Sequence, residues 1–340
     1  MGLNMKEKLF SLLVKNGSYV FWGCTGVLTI VLGMILKFSS LYPHFQDYMA
    51  MLDRTSEIGF ITSSLLIVCF LPGLVIQTLL KKQHDWIISC VLSLFFIYVL
   101  GYLLNVFRIF NYWIVIPVYF SMIPLLIYYQ IKRIGRLSFQ DIGNRFYSIK
   151  WKSVVKVIGE IVLLFLIFKY VALKTYLVFL NDITSLYAGD PITIASKIHL
   201  IKDQFPLLMD NMGHPNYYPP LYSLIAVASV LISGVTVDSY ISGANLFWGL
   251  LYIGLAYYAF RKILGRKQGF IALFLFSLLL LDAIYPFQAL PSAISRTFIV
   301  LCFYLFSKAF EDYYYLMIAG LAVGLVSVLY VQGAMLIMCA

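Results

Sequence analysis

The chain has 340 residues, of which 62% are hydrophobic and 12% are charged, and its mean hydropathy is +0.89. Soluble globular domains carry about a quarter charged residues, so this composition excludes a soluble protein and indicates one embedded in a membrane. The formal net charge is +10, but the basic residues gather in short loops between apolar runs. That pattern is typical of membrane topology and excludes nucleic acid as a partner.

Apolar runs of roughly 20 residues recur along the chain, and a helix of that length crosses about 30 Å of hydrocarbon. Because the bilayer offers no water to backbone groups, such runs must be helical. The sequence therefore predicts an all-α fold, a polytopic transmembrane helical bundle of about nine spans. The short span at 297–310 is expected to borrow flanking residues. The spans are 18–38, 57–80, 86–107, 112–131, 154–173, 241–260, 270–287, 297–310 and 316–338.

Three regions follow from the order of these spans. We predict an N-terminal bundle of four spans over residues 1–131, a basic cytoplasmic loop over 132–153 and a core over 154–340. The first span follows three lysines and is longer than the apolar part of a signal peptide, which favours a retained signal anchor. The final residues, "MLIMCA", stop inside an apolar run, so we expect the C-terminal part of a longer protein to be absent.

Two further groups of residues are given structural roles. The segment 39–57 is predicted to be an outer loop that acts as a lid or packing element. The five cysteines lie in the predicted spans at no metal-ligand spacing, so we expect them to pack as small apolar side chains. They are Cys24, Cys69, Cys90, Cys302 and Cys339.

The distribution of lysine and arginine predicts the topology, because cytoplasmic loops carry an excess of both. With the N-terminus inside and the apolar segment 218–237 kept outside, 17 basic residues lie inside, 6 outside and 2 near outer span ends. If 218–237 crossed the membrane, the count would be 13 against 10. The charges therefore favour an outer loop over 174–240 that ends in an apolar helix, lying in the interface or half inserted.

The first part of this outer loop, residues 174–217, concentrates ionisable side chains. Within it, "GDPITIASKIHLIKDQF" (189–205) begins with a helix start signal, because Asp190 can accept from first-turn amides and Pro191 suits the first helical position. Apolar residues then recur at helical spacing, which predicts an amphipathic helix on the outer membrane surface. They are Ile194, Ile198, Ile201 and Phe205.

The stretch "HPNYYPPLY" (214–222) separates that helix from the next apolar run. Its prolines fix φ and remove backbone donors, so we expect a rigid hinge with a new helix from about Pro220. A simple connection would not need a loop of 44 residues with an interfacial helix, carboxylates and cations. The layout suits chemistry on a lipid-linked substrate, with its phosphate against lysine or arginine and a carboxylate facing an incoming hydroxyl.

The order of a span, an acidic residue, a short helix containing "ASKIH", the stretch "HPNYYPPLY" and an apolar helix resembles the GT-C membrane glycosyltransferases that use polyprenyl-phosphate sugars. These include bacterial envelope enzymes and, more distantly, arabinofuranosyltransferases, protein mannosyltransferases and the oligosaccharyltransferase catalytic subunit. The resemblance covers about residues 154–340 and leaves the first four spans unexplained. It implies inverting transfer of a hexosyl or pentosyl group from a polyprenyl phosphate to an envelope glycan, lipid or protein acceptor.

The resemblance also implies roles for individual residues. One carboxylate of the outer loop acts as base or orienter for the acceptor hydroxyl, and Asp190 matches that place best, with Asp182 second. The residues that look like donor phosphate or sugar contacts are Lys197, His199, His214, Tyr217, Tyr218, Arg296 and Asp282. Because no acidic pair follows Pro286, a divalent metal is not supported, and the sequence indicates no metal site or cofactor.

Each of these residues also has a purely structural interpretation. Asp190 can act as a helix cap alone, the lysines can solvate a helix face, and the tyrosines can anchor the chain at the interface. Two other functions remain open: a lipid-linked glycan polymerase or ligase, expected to have a larger outer loop with arginines, and a transporter or flippase, expected to have paired repeats. The 17 lysines against 8 arginines and the motifs favour a bacterial plasma membrane.

Overall fold

The structure is a computed structural model that describes residues 46–134, 190–204, 206–207, 220–279 and 291–329. Every element in these ranges is a helix, and no strand occurs among them, which confirms the all-α prediction for this part of the chain. The helices are α1 (Gln46–Leu79), α2 (Trp86–Val106), α3 (Tyr112–Ile134), α4 (Asp190–Lys202), α5 (Leu221–Ser233), α6 (Val237–Leu264), α7 (Arg266–Leu279), α8 (Pro291–Ala309) and α9 (Tyr313–Leu329).

Three of these helices are long and apolar enough to cross a membrane. They are the Glu57–Leu79 part of α1, all of α2, and the Tyr112–Tyr129 part of α3. They coincide with the predicted second, third and fourth spans and support a membrane protein. The last four predicted spans fall on α6 to α9, and that these cross the membrane stays a prediction. The predicted spans at 18–38 and 154–173 lie outside the described residues.

Two element boundaries differ from the sequence prediction. The segment 39–57 was expected to be a loop, but α1 begins at Gln46 and continues unbroken for 34 residues, so the second half of that segment is helical. The short span expected at 297–310 lies in α8, which begins at Pro291 and has 19 residues. Proline is favoured in the first turn of a helix, where its missing N–H costs nothing, which explains this earlier start.

The contact between α1 and α2 depends on a glycine beside a proline. A Cβ at Gly73 would lie 1.9 Å from the carbonyl oxygen of Ser89, so only glycine allows the two backbones to approach this closely. Pro72 lies inside α1, and the N–H of Gly73 donates to the Ser93 hydroxyl of α2 at 2.7 Å. A serine on a neighbouring helix is a common way to satisfy backbone groups near a proline within a membrane.

The bundle has two ends, which we name after one residue at each. The Asp85 end contains the α1–α2 loop at 80–85, the α6–α7 turn and the α8–α9 turn. These lie together because the hydroxyls of Tyr258, in α6, and Tyr304, in α8, both donate to the Asp85 side chain. The Gln204 end holds the α2–α3 loop at 107–111, helix α4 and the α5–α6 turn at 234–236. Helix α6 joins the two ends.

Helix α5 lies inside the bundle, and residues 221–230 are all buried. It has 13 residues and is therefore about 20 Å long, which is less than the roughly 30 Å of a hydrocarbon core. Its Leu224 meets Gly101 of α2, and its Ser229 hydroxyl lies 2.5 Å from that of Ser64 in α1. Protein therefore covers this helix, and whether it lies in the interface or is half inserted stays a prediction.

Candidate functional site

Helix α4 carries three of the sequence-predicted site residues and packs on the Gln204 end of the bundle. Ile194, Ile198 and Ile201 are all buried, and they face α5 and α6. The predicted helix and its apolar face are therefore present, but the prediction that this face lies on the membrane surface is wrong. An isoleucine stripe is equally suited to lipid and to protein, and here protein covers it. Phe205, the fourth member of the predicted stripe, lies outside the described residues.

The chain that leaves α4 is tied to the α2–α3 loop by neutral hydrogen bonds. The Gln204 side chain accepts from the Phe110 N–H at 3.1 Å and donates to the Phe110 carbonyl at 2.9 Å, as a paired strand would. Gln204 has a left-handed φ of 67°, which turns the chain back after the helix. Three residues on, the Leu207 N–H donates to the buried side chain of Asn105 at 2.8 Å. These contacts fix the position of α4.

The polar residues of α4 are divided between its two faces. His199 and Lys202 are exposed, as is Asp203 just after the helix, whereas Lys197 is half-buried and has an interaction partner. Two residues along a helix are separated by about 200° around its axis. Lys197 and His199 therefore lie on opposite faces, and the structure does not bring them to one point. A donor phosphate at this helix would meet one of them first.

The other predicted site residues are described only in part. Helix α4 begins at Asp190, as its start signal predicts, with Pro191 in the first turn. Arg296 was expected in an outer loop, but it lies in the second turn of α8, in the part of that helix away from the Asp85 end. The predicted residues that lie outside the described residues are Asp182, His214, Tyr217, Tyr218 and Asp282.

Buried polar groups are found near α4 and α5. Thr62 Oγ1, Asn111 Oδ1 and Tyr119 OH have no hydrogen-bond partner among the described residues. They belong to the half of the bundle nearer the Gln204 end. A buried unpaired polar atom costs about 1–3 kcal/mol, so such groups are suited to a ligand or water that completes them. Within the described ranges, no three histidine, cysteine, aspartate or glutamate residues are placed to hold a metal ion.

A second polar cluster, at the Asp85 end, was missed by the sequence analysis. Asp85 is 6% exposed and caps α2, accepting from the N–H groups of Ile87 and Ile88. Its second oxygen accepts from Tyr304 at 2.6 Å and from Tyr258 at 3.1 Å. An aspartate directly before an apolar run is a cap signal in the sequence. The two tyrosines come from 173 and 219 residues away, and no local pattern indicates them.

Gln77 supports the cap of α2 from α1. Its side chain accepts from the Asp85 N–H at 2.9 Å and donates to the Asp85 carbonyl at 3.1 Å. Gln77 is fully buried, so this amide joins the two helices away from water. Four helices thus meet at Asp85: α2, α6 and α8 donate to its carboxylate, and α1 binds its backbone.

No protein family matches the chain, and neither a curated protein nor a solved structure is significantly similar to it.

Proposed function

We propose that the protein is a membrane glycosyltransferase that moves a sugar from a polyprenyl phosphate to a cell-envelope acceptor on the outer face of a bacterial plasma membrane. One observation carries the proposal: the helix that contains Asp190, Lys197 and His199 is docked on one end of an apolar bundle. At that end of the bundle, we expect the helix to lie at the level where a lipid-linked phosphate meets water. A helix with ionisable groups fixed at that depth suits chemistry on a lipid headgroup.

The charges of the bundle support the proposed orientation. Among the side chains that the structure describes, those at the Asp85 end include Lys81, Lys82, Arg261, Lys262, Arg266, Lys267 and Lys308. Those at the Gln204 end include Arg108, Lys197 and Lys202. Because basic residues are retained on the cytoplasmic side, this difference favours the Asp85 end inside and the Gln204 end outside. The proposed chemistry then takes place on the outer face.

The proposed reaction is a single displacement with inversion. The acceptor hydroxyl attacks the anomeric carbon, its proton passes to a carboxylate, and the bond from the anomeric carbon to the phosphate oxygen breaks to release polyprenyl phosphate. Asp190 is the proposed base, with Asp182 as the alternative. A cation on α4, Lys197 or His199, is proposed to neutralise the leaving phosphate. His214, Tyr217, Tyr218, Arg296 and Asp282 remain the proposed partners of the donor.

Asp190→Asn tests the proposal most directly. We expect transfer from a labelled polyprenyl-phosphate sugar, measured in membranes that contain the variant, to fall by about 10²–10⁴-fold, the usual contribution of a general base. Asparagine keeps the size of the side chain and its capacity to cap a helix. The loss therefore reports the proton acceptor rather than the fold.

The matched control is Asp203→Asn, just after the other end of the same helix. Its rate of sugar transfer should stay within about twofold of that of the wild-type chain. If Asp190→Asn is fully active and Asp182→Asn is not, the base is Asp182. If the unchanged chain transfers none of the hexosyl or pentosyl polyprenyl phosphates supplied, the proposed function is wrong.

A further inference from the structure

The Asp85 end carries a row of four tyrosines with a lysine over the ring at each end. The centroids of neighbouring rings in this row are 6.1–6.3 Å apart. One ammonium lies 4.6 Å from the first ring and the other lies 5.4 Å from the last. In order, the members are Lys82, Tyr314, Tyr315, Tyr304, Tyr258 and Lys262. Tyr304 is 1% exposed and the other three tyrosines are half-buried, so this series of rings, which we call the tyrosine row, reaches the surface mainly at its two exposed lysines.

The buried charge below the tyrosine row does not bind the two lysines. Asp85 accepts hydrogen bonds from Tyr258 and Tyr304 and from two backbone N–H groups, so its acceptor sites face inward donors. Lys82 lies 3.8 Å from Asp312, but both side chains are about half exposed, and such a surface pair is worth little. Lys82 and Lys262 are exposed, and each ammonium lies over a tyrosine ring, so both charges remain accessible to an anion.

The tyrosine row lies between further cations and exposed apolar side chains. Arg261 lies over the ring of Tyr257 at 6.0 Å. Lys81 and Lys267, which are close in sequence to Lys82 and Lys262, are exposed. The exposed apolar residues at the same end are Leu79, Leu80, Ile263, Leu264, Phe310 and Tyr313. A band of cations beside exposed apolar side chains fits the boundary between hydrocarbon and headgroups.

We propose that the two ends of the tyrosine row bind anionic phospholipids, with headgroup phosphates paired to the exposed Lys82 and Lys262 and acyl chains against the exposed apolar side chains. The surface is suited to a lipid whose headgroup has a net negative charge, because a zwitterionic headgroup brings its own cation to the same place. A soluble phosphate ester lacks the acyl chains that the apolar residues would cover. This inference does not depend on the proposed glycosyltransferase activity.

The test compares phosphatidylglycerol with phosphatidylcholine as ligands of the purified full-length chain. Bound lipid is counted by native mass spectrometry while each lipid is titrated into the detergent solution. One basic residue near an anionic lipid surface contributes a factor of about five, so Lys82→Gln with Lys262→Gln should weaken phosphatidylglycerol binding by about 20- to 30-fold. Phosphatidylcholine binding should not change, and glycerol phosphate should not displace the lipid.

Two further variants make the result specific. Arg108→Gln with Lys202→Gln removes the same charge at the Gln204 end and should leave phosphatidylglycerol binding within about twofold. Lys82→Arg with Lys262→Arg keeps both charges and should bind as the unchanged chain does. The proposal is overturned if the two glutamine pairs lose phosphatidylglycerol binding equally, or if neither loses any. It is also overturned if the arginine pair loses binding, or if glycerol phosphate displaces the lipid. If the double variant Lys82→Gln with Lys262→Gln does not fold, each single variant provides the same test. Each should weaken phosphatidylglycerol binding by about fivefold.

Discussion

The two ends of the bundle are closed by different kinds of polar contact. At the Asp85 end a buried carboxylate accepts two backbone N–H groups and two tyrosine hydroxyls. At the Gln204 end the ties are neutral, from Gln204 to Phe110 and from Leu207 to Asn105. A hydrogen bond to a charged group is worth about 1.5–3 kcal/mol, and a neutral one about 0.5–1.5 kcal/mol. The Asp85 end is therefore the firmer junction.

This difference bears on where a substrate can enter. Opening the Asp85 end would leave a carboxylate without its donors, whereas opening the Gln204 end breaks neutral hydrogen bonds and exposes the isoleucine face of α4. The helix that carries Asp190 is held by the second kind. The proposed site for a lipid-linked donor is therefore placed at the end whose hydrogen bonds are weaker.

The largest effect is expected from Asp85→Ala, which should lower the free energy of unfolding by about 3–5 kcal/mol. The substitution removes the cap of α2 and leaves the buried hydroxyls of Tyr258 and Tyr304 without their acceptor. Reversible unfolding in mixed detergent micelles measures the change. Asp203→Ala, at an exposed position of the Gln204 end, should change stability by about 0.5 kcal/mol or less. Equal effects of the two variants would show that Asp85 is not the junction.

Two glycine substitutions test how closely neighbouring helices pack at the two ends of the bundle. Gly73→Ala should cost about 2–3 kcal/mol, because the new Cβ would meet the Ser89 backbone, which cannot move aside. Gly101→Ala should cost about 1 kcal/mol or less, because its Cβ would meet the Leu224 side chain at 2.9 Å, and that side chain can turn. The same unfolding measurement ranks them. The comparison is wrong if Gly101→Ala proves the more damaging.

The smallest global effect is expected from Gln204→Ala. Removing both hydrogen bonds to Phe110 should cost about 1 kcal/mol, and it should loosen α4 rather than the whole bundle. Hydrogen exchange should therefore become faster in 190–204 while the amides of α2 and α6 keep their protection. If exchange rises equally in all three helices, α4 is an integral part of the bundle and the Gln204 end is no more adaptable than the Asp85 end.

The sequence predicted which segments are helical better than it predicted what each helix packs against. Three spans were found from length and hydropathy alone, since only an apolar helix of about 20 residues satisfies its backbone across a bilayer. The start of α4 at Asp190 and its isoleucine face were found from a cap signal and a helical period. The partner of that face was not found, because Ile194, Ile198 and Ile201 would be spaced in the same way against lipid or against protein.

The site could be predicted less completely than the fold. That Asp85 begins a helix is visible in the sequence, but its tyrosine partners lie on helices far along the chain, and no spacing rule connects them. The opposite faces of Lys197 and His199 do follow from the helical period, and that period could have separated their roles at the outset. For Asp182, His214 and the tyrosines after it, the prediction stands as the sequence made it.

The enclosed position of α5 has a consequence for how the protein is made. Helices α1 to α3 are synthesised well before Leu221–Ser233 and pack around it, so their final arrangement is complete only after α5 has been made. Before that point, the apolar side chains that α5 later covers must pack against lipid or against one another. Completion of the bundle is then a late step in biogenesis, and we expect that an insertase or chaperone that delays closure of these three helices would assist it.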